Sequence, residues 1–102
     1  MYAVTFIDNI TYVIEINEFQ KSELPHSQFG DLEDVFKYIS AFYKPNLNYS
    51  KRYYSIKHVE NYVVFQEVDK KNINRINSHT GHFDTVLRAI YNELAFISQH
   101  RQ

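Results

Sequence analysis

The sequence predicts an α+β fold in which a ββα unit occurs twice, in the order ββαββα. The chain has two glycines, 51 residues apart, and each stands at the start of one of two matching segments, 30–39 and 81–90. Apolar residues alternate with period two before each glycine, as in strands, and recur with helical period after it. Two hairpins would then form a four-stranded antiparallel sheet, with both helices packed on one face.

The two segments match residue type by residue type. Gly, a bulky apolar residue, an acid, Val, a large apolar residue, a base and Ile recur in register in GDLEDVFKYI and GHFDTVLRAI. Upstream, Ile7-Asp8-Asn9 is similar to Val59-Glu60-Asn61 at a spacing of 52. We therefore interpret residues 1–102 as a single domain composed of units 1–49 and 50–102.

The first unit begins with two predicted strands, 2–7 and 10–16, joined by a tight turn at Asp8-Asn9, residue types that accept positive φ. The polar stretch 17–29 is long for a connection, which is typical of a functional loop. A helix follows from Asp31, which caps its first turn together with Asp34. Pro45 ends this helix near Tyr43.

The second unit repeats this order. Strands are predicted over 52–59 and 62–68, a polar and basic loop over 69–80, and a helix from about Phe83 to Gln99. If the even positions of the first hairpin pack under the helices, the opposite face of the sheet is open to water or to a partner. That open face is expected to carry Thr5, Thr11, Glu15, Tyr53, Ser55, Lys57, Phe65 and Glu67.

Composition restricts the class of protein. Apolar residues make up 44% and charged residues 23% of the chain, which is typical of a soluble globular domain. No stretch approaches the roughly 18 apolar residues that span a bilayer, and the first residues do not resemble a signal peptide. The absence of cysteine excludes disulfides and thiolate metal sites. We therefore expect a cytoplasmic protein.

Charge is distributed unevenly along the chain. Residues 1–34 hold seven acids against one lysine, a balance of −6, whereas residues 35–102 have a balance of +5. Tyr and Phe together make up 17% of the chain, and some of them must face solvent in so small a domain. Acids and exposed aromatic rings together favour contact with a basic protein surface. The residues predicted to bind that partner are Glu15, Glu18, Phe19, Glu23, Asp31, Glu33 and Asp34.

The leading hypothesis is a non-catalytic inhibitor of another protein. In its specific form the chain is a bacterial immunity protein, an antitoxin that covers the active site of a cognate toxin, a nuclease in the first instance. An inhibitor carried by a phage or mobile element is a variant of the same hypothesis. It depends on the acidic first unit, on the aromatic content and on the lack of a Gly-rich phosphate loop or a nucleophile motif in the sequence.

Three alternatives stay open. Tyr49 to Tyr54 interleaves bases with aromatic rings, which suits single-stranded nucleic acid; the residues predicted for it are Lys51, Arg52, Tyr53, Lys57, Lys70, Lys71 and Arg75. A small enzyme or ligand binder could be built around His79, His82 and Asp84, since two histidines three residues apart can share a metal. Gly81 interrupts any helix that would hold them, so the leading hypothesis includes no metal, cofactor or catalytic residue. A homodimer could instead pair two open sheet faces.

Overall fold

The computed structural model describes residues 1–69 and 80–100, which form six strands, two helices and two short 3-10 turns. The strands are β1 (Tyr2–Ile7), β2 (Ile10–Glu15), β3 (Gln28–Gly30), β4 (Tyr53–Val59), β5 (Tyr62–Val68) and β6 (Thr80–His82). The helices are α1 (Leu32–Tyr43) and α2 (Phe83–His100), and the 3-10 turns are Glu18–Glu23 and Tyr49–Lys51.

All six strands belong to one antiparallel sheet in the order β3-β1-β2-β5-β4-β6. The predicted α+β class is confirmed, with two helices packed on the sheet. The predicted count of four strands is wrong, because β3 and β6 add one edge strand at each side of the sheet. Each of these three-residue strands directly precedes a helix, so neither half of the chain is the simple ββα unit that was predicted. Three residues are too few to show period-two alternation, which is why the sequence pattern missed them.

The two hairpins turn tightly at the predicted positions. Asp8 and Asn9 have φ of 51° and 67°, so both residues of the first turn are left-handed, as a two-residue hairpin that matches the strand twist requires. Glu60 in the second turn has φ of 56°. Asp and Asn accept this region at little cost, whereas Glu does not.

Strand register decides which residues face the helices, because cross-strand partners point to the same side. The two-residue turn pairs Ile7 with Ile10, so each even-numbered residue of β1 pairs with an odd-numbered residue of β2. Val4 therefore shares the helix-covered face with Val13, and Phe6 shares it with Thr11. The prediction that even positions of both strands pack inward is correct for β1 and wrong for β2.

The same pairing corrects the predicted open face. Thr11 and Phe65 are fully buried partners on the helix side, and Glu67 shares that side because it pairs with buried Tyr54. Glu15 is also on that side, opposite Tyr2. The remaining four predicted residues do lie on the open face; they are Thr5, Tyr53, Ser55 and Lys57.

Helix α1 begins as predicted with a capping box. The Asp31 carboxylate accepts from the Asp34 backbone N–H at 3.0 Å, and Asp34 Oδ2 accepts from the Asp31 N–H at 3.1 Å. A Cβ atom built on Gly30 would collide with the Asp34 side chain, so glycine is needed here for space. At the other end the Lys44 N–H donates to the Ser40 carbonyl before Pro45 stops the helix.

The core lies between the sheet and the helices, and aromatic rings fill its centre. The ring centroids of Tyr43, Tyr54, Phe65 and Phe83 lie between 5.2 and 5.8 Å from one another. Aliphatic residues from the predicted helix stripes surround them, among them Ile39 and Ile90, both fully buried. The helices thus cover one face of the sheet and leave the other to form the surface described next.

Candidate protein-binding surface

The stretch predicted as a functional loop forms a capped 3-10 turn, Glu18–Glu23, that displays Phe19. The Asn17 side chain accepts from the backbone N–H groups of Phe19 and Gln20, at 3.0 and 3.2 Å. The Gln20 side chain accepts in return from the Asn17 N–H at 2.9 Å. The Phe19 side chain is left 87% exposed. We call residues Glu18–Glu23 the Phe19 turn.

The Phe19 turn is attached to the sheet by side chains that follow Phe19 in the chain. The Lys21 ammonium group lies 5.7 Å from the centroid of the Phe29 ring on β3. The Ser27 and Thr5 hydroxyl groups, after the turn and on β1, share a hydrogen bond. Leu24, directly after the turn, lines a groove on the open face of the sheet. The turn therefore borders the open face.

The acids predicted to bind a partner fall into three environments. Glu18 and Glu23 are exposed at the two ends of the Phe19 turn. Glu15 is half-buried on the helix side of β2, and Glu33 is exposed in the first turn of α1. Asp31 and Asp34 satisfy the amides of the capping box. Glu18 and Glu23 thus lie on the same short turn as Phe19, whereas Asp31 and Asp34 stabilise the start of α1.

The capping box also affects the ionisation of Asp31. The hydrogen bond from the Asp34 backbone N–H holds the pKa of the Asp31 carboxyl below its usual value, with a smaller contribution from the positive charge of Lys37. Both interactions favour the charged carboxylate, which is also the form that complements the positive end of the helix dipole.

Four of the residues predicted to bind nucleic acid lie in the described part of the chain, and they have different environments. One guanidinium nitrogen of Arg52 lies 2.8 and 3.2 Å from the two carboxylate oxygens of Glu67. Tyr53 packs against the ring of His82, with centroids 4.9 Å apart. Lys57 is on the open face and Lys51 is exposed on the second 3-10 turn. The remaining three predicted residues, Lys70, Lys71 and Arg75, lie outside the described residues.

The histidines do not assemble a metal site in the part of the chain that the structure describes. Over residues 1–69 and 80–100, no group of three or more His, Asp or Glu side chains is placed to hold an ion. His79 lies outside these residues. A different histidine, His58, has its Nδ1 atom 2.7 Å from Oε2 of the nearly buried Glu93, and this hydrogen bond joins β4 to α2.

The open face of the sheet is more apolar than the residues that the sequence analysis assigned to it. Register aligns its residues from β1, β2, β5 and β4 in three rows, which are Ile7-Ile10-Gln66-Ser55, Thr5-Tyr12-Val64-Lys57 and Ala3-Ile14-Tyr62-Val59. Eight of these twelve residues are apolar or aromatic and one is charged. They line most of a groove of about 540 Å³, which Leu24 and Glu60 border. The two-residue turn at Asp8-Asn9 sets this pattern, because it pairs odd positions of β1 with even positions of β2 on the open face.

Comparison with protein-family models, with curated proteins and with solved structures found no match to this chain. Within the described ranges, neither helix is long and apolar enough to cross a membrane. Function is therefore inferred from the geometry of the Phe19 turn and of the open face.

Proposed function

We propose that this chain is a non-catalytic inhibitor that binds another protein through the Phe19 turn. The observation that carries the proposal is the 87% exposure of Phe19 on a turn capped in both directions. An aromatic side chain this exposed gains free energy when a partner buries it, and residues of this kind dominate protein interfaces.

The capping supports this role because it reduces the entropy lost on binding. A flexible loop must be ordered when a partner docks, and that ordering subtracts from affinity. In the unbound protein the Asn17 side chain already accepts hydrogen bonds from the first amides of the turn, and the Gln20 side chain accepts one from the Asn17 N–H. Lys21 and Ser27 attach the same segment to β3 and β1. Phe19 is thus presented in a set position before any partner arrives.

Charge indicates the chemistry of the partner. Glu18 and Glu23 are exposed at the two ends of the turn that carries Phe19, while the Lys21 ammonium group lies over the Phe29 ring, so the proposed site combines an apolar anchor with two exposed acids. Such a site complements a cleft with an apolar pocket and a basic rim. Opposite charges accelerate association and orient the encounter.

A basic nuclease is the partner that this chemistry suits best, because nucleases bind phosphates with Lys and Arg. In this form of the proposal the chain is a bacterial immunity protein: Phe19 fills the cleft and the two glutamates pair with the cations that would bind nucleic acid. A phage-borne inhibitor of a host protein would use the same surface. Inhibition is by occlusion and requires no chemistry from the bound chain.

The test uses the product of the adjacent gene as partner, coexpressed and then titrated against the purified chain. Phe19→Ala is expected to weaken binding by about 30-fold or more, as loss of a hot-spot residue does. Leu47→Ala is the matched control, because Leu47 is 95% exposed but lies away from the turn. Equal affinities for Phe19→Ala and the unaltered protein would refute the assignment of the site.

The charges are tested separately. Exchanging Glu18 and Glu23 for Lys should slow association and reduce its dependence on salt, whereas Glu33→Lys on α1 should have a smaller effect. Salt-sensitive binding to single-stranded nucleic acid that is lost on Lys51→Ala would instead favour the nucleic-acid alternative.

A further inference from the structure

The open face of the sheet is too apolar for a surface that only meets water. An antiparallel sheet with helices on one face ordinarily presents polar side chains on the other. Here eight of the twelve residues in the three rows are apolar or aromatic, and Lys57 is the charged member of the set. Ala3 and Val64 are buried by their neighbours within the chain, so the apolar surface that meets water comes from the other six residues: Ile7 and Val59 are each 51% exposed, and the remaining four are half-buried. Contiguous apolar patches of this kind mark interaction sites.

We infer that a second copy of this chain covers the open face, with the two sheets packed face to face about a two-fold axis. Pairing of one face with itself needs no complementary charge pattern, only that like charges do not meet. The three rows hold a single lysine and Glu60 borders the groove, so the face meets that condition and offers a heterologous partner little charge for recognition. Sheets packed in this way lie about 10 Å apart, with strands crossing at about 30°.

The position of Lys57 selects the direction of the axis. An axis in the interface and parallel to the strands, between β2 and β5, places Lys57 opposite Thr5 of the second copy and Tyr12 opposite its Val64. The two lysines then lie on opposite flanks, about 14 Å apart along the sheet. An axis perpendicular to the strands would place Lys57 opposite itself, which like-charge repulsion disfavours.

The size of the face indicates a reversible dimer. Four strands and three rows span about 14 by 14 Å between outer Cα atoms. This outline encloses about 200 Å², and even with side-chain width it stays well below the roughly 800 Å² per partner of a standard interface. Tyr12 and Tyr62, whose rings meet edge to face at 6.3 Å, provide most of the aromatic area near the axis. The two-fold operation directs these rings toward the groove of the other copy.

The first experiment measures oligomeric state by sedimentation equilibrium over a wide concentration range. The unaltered protein is expected to show a monomer–dimer equilibrium, and Tyr12→Lys to weaken it by roughly tenfold or more, since it buries two like charges near the axis. Leu47→Lys is the surface control and should leave the equilibrium unchanged. Circular dichroism and thermal melting verify that each variant folds.

Two results would overturn the inference. One is a protein that is monomeric at every concentration; if the adjacent-gene product then binds it and Tyr12→Lys abolishes that binding, the face belongs to a different protein. The other is a dimer that Tyr12→Lys does not weaken, which would place the contact elsewhere.

A second experiment tests the axis by cysteine cross-linking. The chain has no cysteine of its own, so only the introduced thiols can react. Thr5→Cys and Lys57→Cys proteins are prepared separately, then mixed and treated with a short bismaleimide. The proposed axis predicts cross-linked dimers in the mixture and little product from either protein alone. Efficient linkage of Lys57→Cys to itself would contradict the proposed axis.

The dimer and the inhibitor function can fail independently. Phe19→Ala should leave the monomer–dimer equilibrium unchanged, because Phe19 is on the turn and not in the three rows. A stable dimer that binds no protein would refute the proposed function alone.

Discussion

The hydroxyl groups of Thr11 and Tyr43 lie 2.9 Å apart and share a buried hydrogen bond that joins β2 to the last residue of α1. Thr11 is fully buried, although the sequence pattern placed it on the open face. Burial of a hydroxyl is costly unless it is paired, so this contact lets a polar residue occupy the helix-covered side of the sheet.

Removing one partner of this pair should cost more than removing both. Tyr43→Phe takes away the bond and leaves the Thr11 hydroxyl buried, so the free energy of unfolding should fall by about 1–3 kcal/mol. Adding Thr11→Val to Tyr43→Phe should recover part of that loss. Urea denaturation of the two single variants and the double variant measures the coupling. Strictly additive losses would show that the two hydroxyls do not stabilise one another.

The helix stripes are tested by truncation at fully buried positions. Ile39→Ala on α1 and Ile90→Ala on α2 should each lower the free energy of unfolding by about 2–5 kcal/mol, through lost burial and the cavity that remains. Tyr91→Ala is the control, because Tyr91 follows Ile90 but is 56% exposed, and its effect should stay near 0.5 kcal/mol. If the loss at Ile90 were no larger than at Tyr91, the assigned face of α2 would be wrong.

Stability should fall in alkaline solution because of buried tyrosines. Burial raises the pKa of Tyr54 to about 12, and the pKa of Tyr43 is raised for the same reason. The folded state therefore holds these phenolic protons more tightly than the unfolded state, where the pKa is near 10. Their contribution is fully present below about pH 10 and is lost as the pH rises toward 12.

The measurement for this effect is the free energy of unfolding as a function of pH. Tyr54→Phe should flatten the alkaline decline, although it also loses the hydrogen bond that the Tyr54 hydroxyl donates to the Tyr49 carbonyl. Tyr91→Phe, at an exposed position, should not change the slope. A decline of equal steepness in Tyr54→Phe would assign the effect to other groups.

The second hairpin turn offers a stabilising substitution. Glu60 has φ of 56°, a region that costs a residue with a Cβ atom about 1–2 kcal/mol. Glu60→Gly relieves this strain but adds freedom to the unfolded chain, so we expect a net gain of up to about 1 kcal/mol in thermal or urea unfolding. Glu60→Ala keeps the Cβ atom and should give no comparable gain. Equal effects of the two substitutions would exclude backbone strain as the cause.

Long periodic segments were predictable because each carries its own signal. The α1 boundaries follow from Asp31 and Pro45, and the Asp8-Asn9 turn from residue types that accept positive φ. The predicted start of α2 at Phe83 is also confirmed. The edge strands β3 and β6 were missed, since three residues in extended conformation have no periodicity of their own and are specified by their neighbours.

The candidate site was only partly predictable for a similar reason. Composition identified Glu18, Phe19 and Glu23 within a polar connection, but it could not distinguish a ring that packs on the core from one that is exposed. The difference between exposed Phe19 and Phe29, which Lys21 contacts, depends on how the turn folds against β3. The same limit applies to Arg52, whose pairing with Glu67 depends on the β4–β5 register.

By itself the sequence determined the class of the fold, the four long strands, both helices and the caps and turns that bound them, because these depend on residues close together along the chain. The tertiary structure decided the two edge strands, the face on which each β2 and β5 side chain lies, and the exposure of Phe19. Each of these depends on pairing between distant segments, and a shift of one residue in strand register moves a side chain to the opposite face.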